Sequence, residues 1–144
     1  MAVVEGNRHP KENLQAGLKT RGLAAYTIRI CANPKTFDPK YDRFLTQRLV
    51  DKAVDIHTLV WTANSIRTTT HERYMQRGQM QMDARHACDT MLCLIDMAKP
   101  VYHLRGDRAK YWSNLVREAR TLIDGWMRSD YERYKDLPEG NGNQ

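Results

Sequence analysis

Met80, Ala84, Ala87, Met91, Leu94, Ala98 and Val101 recur at alternating steps of four and three residues, without a break. Such spacing lays side chains along one face of a long α-helix, and a seam this regular is buried by packing against other helices. A parallel seam beside it, Tyr74, Gly78, Gln81, Arg85, Cys88, Leu92, Ile95, Lys99 and Tyr102, is equally regular but partly polar and reads as a second contact face. Thr70 is positioned to cap this helix, expected from His71 to about His103, and Pro100 removes one backbone donor and bends the last turn near Lys99.

The remaining segments carry the same periodicity. A first helix is expected from Asn13 to Asn33 on the stripe Leu14, Leu18, Ala25 and Ile28, ended by Asn33-Pro34 because the residue before proline disfavours helical geometry. Asp38 as N-cap with Pro39 at the first helical position opens a second helix to about Arg67, with Leu45, Leu49, Ala53, Ile56, Val60 and Ala63 inward. Asp107 is the expected cap of a fourth helix reaching about Tyr134, with Trp112, Leu115, Ala119, Leu122 and Trp126 inward. Residues 1–12 then form a flexible segment, 13–135 the bundle and 136–144 a disordered tail. Short connections make neighbouring helices antiparallel, so the expected fold is all-α, an up-down-up-down four-helix bundle. The extra line Val50, Val54, His57 and Trp61 on the second helix predicts an oligomer contact, since a monomeric bundle buries one wide face per helix.

At 144 residues the chain has room for one domain and a short tail. Lys and Arg number 23 against 17 Asp and Glu, a formal net charge of +6, and the excess lies before Met80 in the linear sequence. Clustered cations attract phosphates and release their counterions, so this asymmetry points to a polyanionic partner. Three cysteines, with Cys88 and Cys93 unmatched by a second pair, fit neither a disulfide framework nor a zinc ribbon. Apolar runs are only a few residues long, and the opening MAVVEGNRHPKEN has no basic-then-apolar signal layout, so a cytoplasmic location without a membrane partner is expected.

Catalytic chemistry finds little purchase. Asp83-Ala84-Arg85-His86 has the carboxylate-to-histidine spacing of a bundle metal site, but there is no second copy. Arg67-Thr68-Thr69-Thr70-His71 approaches the arginine-histidine pair of HEPN-type helical ribonucleases with only three intervening residues, and it straddles a helix cap. Cys88 sits on a seam, where cysteine acts as a small hydrophobe, and the glycines form no phosphate cradle after a strand. No catalytic residue, metal or cofactor is expected. Lys35, Lys40, Arg43, Arg48 and Lys52 run from the first loop into helix two, and Arg73 and Arg77 open helix three. Lys40, Arg43, Arg48, Lys52, Arg73 and Arg77 are the expected phosphate contacts, with Arg85 facing a pore or partner. Tyr41, Phe44 and Tyr74 interleave with them, Phe44 being read as a core residue rather than a stacking platform. The competing explanation is a solvated face kept basic for solubility.

The segments TIRICANPKTFDPKYDRFLTQRLVDKAVDIHTLVWTANSIR, ERYMQRGQMQMDARHACDTMLCLIDMAKP and KYWSNLVREARTLIDGWMRSDYERY together resemble one family. The chain is similar, from Leu23 to Tyr134, to Avd-type four-helix-bundle proteins, the accessory variability determinants of diversity-generating retroelements. These share a fold with the small proteins encoded by intervening sequences in 23S rRNA genes. The Arg43-Phe44 entry to helix two, Ala63-Asn64 near its end, Met97-Ala98-Lys99-Pro100, and the span from Tyr111-Trp112 to Gly125-Trp126 carry the likeness. The resemblance implies a non-enzymatic protein that assembles as a homopentameric barrel and binds the retroelement's reverse transcriptase and its template-repeat RNA. That enzyme copies the template with errors at adenines, and the cDNA replaces a variable repeat. The intervening-sequence type, an RNA-associated bundle, is the alternative that the same resemblance implies, ahead of a helical ribonuclease.

Overall fold

The computed structural model describes residues 8–139, with side chains from residue 12 onward. Four long helices, α1 (Arg8–Cys31), α2 (Gln47–Ser65), α3 (His71–Tyr102) and α4 (Gly106–Tyr134), make up most of it, and no strand occurs among the described residues. Side-chain pairs run in opposite order along three of the four neighbouring pairs of helices, which fixes the fourth, α2–α3, as antiparallel too. Thr20 meets His57 while Asn13 meets Asn64; Thr27 meets Trp112 while Lys19 meets Glu118; Arg77 meets Asp130 while Arg85 meets Asp124. Each helix is therefore antiparallel to its two neighbours, as the short connections require.

The expected stripe of α2 is buried in full: Leu45, Leu49, Ala53, Ile56, Val60 and Ala63 all face the core. Asp38 caps as expected, its Oδ1 accepting from the Lys40 N–H at 3.0 Å with Pro39 at the first position. What it opens is not α2 itself but a 3-10 turn, Pro39–Tyr41, followed by a π-helical turn, Asp42–Thr46. The wide turn aims Leu45 and Thr46 inward and leaves Phe44 outward at 68% exposure, correcting its expected place in the core.

On α1 the expected stripe is wrong. Leu14, Leu18 and Ile28 are 58%, 48% and 47% exposed, and Ala25 is half-buried; Ala16, Thr20, Leu23, Ala24, Thr27 and Cys31 are buried instead. Hydrogen bonds explain the choice of face. The Thr20 hydroxyl donates to the Ala16 carbonyl at 2.9 Å and lies 2.9 Å from His57 Nδ1, and Thr27 Oγ1 accepts from the Trp112 indole at 3.0 Å. A satisfied hydroxyl is cheap to bury, and the small alanine and threonine side chains let α1 approach its neighbours closely. The helix also begins at Arg8, ahead of the expected Asn13; the rest of the expected flexible segment, residues 1–7, lies outside the described residues, as do residues 140–144 of the expected tail.

The two seams of α3 merge into one buried face: Ala84, Ala87, Met91 and Ala98 from the first, Gln81, Cys88, Ile95 and Tyr102 from the second. The second seam is thus partly core, with Tyr74, Gly78, Arg85 and Leu92 half-buried and Lys99 exposed. Thr70 caps α3 as expected, accepting from the Arg73 N–H at 3.2 Å. The His71 N–H, an orphan donor of the first turn, is satisfied at 3.0 Å by the carbonyl of Pro138, a residue expected in the disordered tail. On α4, Arg105 rather than Asp107 occupies the cap position and makes no capping bond; Asp107 lies in the first turn and pairs with Arg105 at 2.7 Å. The inward residues of α4 are Ala109, Trp112, Val116, Ala119, Ile123, Trp126 and Asp130, with Leu115 and Leu122 half-buried at its edges. Phe37, from the first loop, is buried between Tyr102 and Trp112, its ring centroid 4.6 Å from the first and 6.0 Å from the second. It locks the α1–α2 loop onto the end of α3 and the start of α4.

Candidate nucleic-acid interface

The antiparallel arrangement separates the expected cationic stripe into two parts. Lys40, Arg43 and Arg48 lie where α2 begins, whereas Arg73 and Arg77 lie at the start of α3, beside the far end of α2. Arg77 is withdrawn altogether. Its guanidinium is buried, donating from Nε at 2.8 Å and Nη2 at 3.1 Å to the carboxylate of Asp130, and lies 5.0 Å from the Trp126 ring centroid. Gln81 donates to the same carboxylate at 2.9 Å, so this is a packed hydrogen-bonded pair with no free charge for a phosphate. Arg85 is likewise compensated inside the chain, 2.7 Å from Asp124 and 3.7 Å from Asp89, and does not present a bare cation to a pore. Lys52 is half-buried beside Asp55 at 3.7 Å. Tyr74 packs half-buried near Tyr134 at the Arg77 end, away from the other two aromatics.

Lys40, Arg43, Arg48 and Arg73 remain exposed. Lys40 Nζ lies 5.2 Å from the Tyr41 ring centroid and 3.9 Å from Asp38, while Arg48 Nε donates to the Phe44 carbonyl at 3.2 Å. Among the described residues Arg43, Arg48 and Arg73 have no carboxylate within 4.0 Å.

The α3–α4 turn joins the first group, and sequence order had hidden it. Tyr41 and Tyr102 rings lie 5.8 Å apart, Tyr26 and Tyr111 rings 5.3 Å apart, and the Thr46 hydroxyl bonds that of Tyr102. These contacts bring Arg105, Arg108 and Lys110 to the same end of the bundle as Arg29, Lys35, Lys40 and Arg43. Residues 29–48 and 96–110, which form this end, carry nine Lys and Arg against four Asp. The opposite end, where Asn13 meets Asn64 and Glu12 meets Arg133, comprises residues 8–16, 62–80 and 124–139 and carries eight against seven. Nine against four is a net of +5, so most of the chain's net charge of +6 is gathered at one end of the folded bundle, drawn from both halves of the sequence. Arg29, Lys35, Arg43, Arg48, Arg108 and Lys110 all lack a carboxylate partner within 4.0 Å among the described residues. Burial raises the Tyr26 phenol above its ordinary pKa, and the neighbouring Arg108 charge opposes that rise.

Of the expected oligomer-contact residues, Trp61 is 70% exposed, Val50 and Val54 are half-buried, and His57 is half-buried against Thr20. A shallow groove between α1 and α2 is lined by Leu14, Leu18, Arg21, His57, Trp61 and Asn64. The leucines that the stripe of α1 misassigned to the core therefore form one apolar surface with Trp61.

Residues with other chemistry are dispersed. Burial pushes the Cys31 and Cys88 thiols up to about 12, leaving them protonated and unreactive at neutral pH, while Cys93 is exposed. Asp83 and His86 are both exposed, and Asp83 accepts from the Gln79 amide at 3.0 Å. Among the described residues no group of three or more His, Cys, Asp or Glu is placed to hold a metal ion, and no helix is long and apolar enough to cross a membrane. No protein-family model, curated protein or solved structure matches this chain.

Proposed function

We propose that this chain is a non-enzymatic accessory protein of a diversity-generating retroelement, acting in the cytoplasm to hold the element's reverse transcriptase and template-repeat RNA together during mutagenic cDNA synthesis and retrohoming. The observation that carries this reading is the gathering of unpaired cations at one end of a four-helix bundle, where they face solvent rather than internal carboxylates. A surface kept basic for solubility alone has no need to concentrate its excess, whereas a polyanion-binding surface does. The resemblance of residues 23–134 to Avd-type proteins supplies the identity of the partners. In the same reading the protein is a homopentamer, and the exposed Leu14, Leu18 and Trp61 surface is where subunits meet.

The test is cDNA synthesis by the element's reverse transcriptase on its template-repeat RNA, with and without this protein. Synthesis is expected to rise on addition, and an unchanged yield contradicts the reading. Light scattering tests the assembly separately. Five chains of 16.8 kDa give about 84 kDa, a mass that Trp61→Glu is expected to reduce; a monomeric wild type refutes the ring.

A further inference from the structure

Phe44 is an anomaly of placement. Burying a phenylalanine stabilises a fold, yet this one is 68% exposed, between Arg43 and Arg48 in sequence and beside a loop of further cations. Its position is not a loose one. The π-helical turn that carries it is pinned on its inner side by buried Leu45 and by Thr46, whose hydroxyl bonds Tyr102, and Arg48 Nε donates to the Phe44 carbonyl. Among the described residues no other aromatic ring stacks on it. An open ring face on a rigid turn, next to guanidinium groups, has the composition of a site where one base stacks while neighbouring phosphates are neutralised.

We infer that the basic end of the bundle takes single-stranded RNA, with a base stacked on Phe44 and the phosphates on either side running over Arg43, Arg48 and Lys40 and across to Arg108 and Lys110. The inference rests on the RNA-binding reading above and goes beyond it by naming the strand state, the stacking residue and the contribution of α4. Bases within a duplex are stacked on one another and offer their faces to no side chain, so a lone exposed ring discriminates in favour of an unpaired strand. Nine cations against four acids at this end favour a polyanion over an apolar protein surface as the partner of the ring.

The experiment is fluorescence anisotropy with a labelled, unstructured oligoribonucleotide, alone and annealed to its complement, against the full chain and its variants. Phe44→Leu keeps an apolar side chain at an exposed position and is expected to weaken single-strand binding about tenfold while leaving its salt slope and duplex binding unchanged. Phe44→Trp is expected to restore affinity, with tryptophan fluorescence quenched on binding. Arg108→Gln with Lys110→Gln is expected to lower the magnitude of the salt slope by about 1.4. Equal wild-type affinity for both strand states together with an indifferent Phe44→Leu overturns the inference but leaves RNA binding standing. Loss of reverse-transcriptase binding in Phe44→Leu, with RNA affinity intact, overturns it in favour of a protein-docking ring. Absence of any salt-dependent RNA binding by the wild type overturns both.

Discussion

Arg77 and Arg43 are the same residue type in the same basic half of the chain, yet one is enclosed by Asp130, Gln81 and Trp126 and the other faces solvent. Nothing in the local sequence distinguishes them, because the partner of Arg77 is 53 positions away on another helix. Removing that partner leaves a buried uncompensated cation, so Asp130→Ala is expected to lower the unfolding free energy in urea by about 3 kcal/mol. Arg77→Met is expected to cost less, since Asp130 keeps Gln81 and, at 3.3 Å, Arg133; equal losses contradict the assignment. His57 gives a second residue-scale expectation. Burial, with the Arg21 charge as a smaller cause, holds its pKa below the ordinary 6.5. The unfolded chain then takes up this proton more readily than the folded one, so the stability linked to His57 is intact above pH 6.5 and is lost as pH falls below it. Between pH 7 and pH 5.5 the wild-type denaturation midpoint is expected to fall further than that of His57→Gln, because the variant lacks the imidazole that the unfolded chain protonates more readily; equal falls contradict the assignment.

Helices were legible to different degrees, for physical reasons. On the α2 stripe the inward residues are all apolar, so hydrophobic spacing and burial coincide. On α3 the seams were found but their boundary was not, since a helix between two neighbours buries a face wider than either seam. On α1 the buried face is not the apolar one, because Thr20 and Thr27 are buried through hydrogen bonds to α2 and α4 partners that apolar periodicity does not register. The Asp38-Pro39 start was visible in the sequence, whereas the π-helical turn behind it was not, so Phe44 was assigned to the wrong side. Leu14 and Leu18 carry a direct expectation. Changing both to Ser is expected to alter the unfolding free energy by less than about 1 kcal/mol, as exposed positions allow, while reducing the mass measured by light scattering. A large loss of stability at unchanged mass contradicts their role as an assembly surface.

For the whole molecule, the decisive quantity is where the charge lies once the chain is folded. The total was visible in the sequence, and so was an excess before Met80, but folding back on itself mixes the two halves and sorts the charge by bundle end. Lys40, Arg43 and Arg48 are exposed at the basic end, Arg77 and Arg85 are paired with carboxylates inside the chain, and Arg108 and Lys110 join that end only through topology. A comparison of two triple variants with identical charge change tests this most directly. One replaces Arg43, Arg48 and Arg108 by Gln at the basic end; the other replaces Arg67, Arg73 and Arg128 by Gln at the balanced end, all six being at least partly solvent-accessible. Plotting log affinity for an unstructured RNA against log salt, the first variant is expected to lose about two units of slope and the second to match the wild type. Equal losses in the two variants contradict a localised polyanion site and leave only a diffusely basic surface.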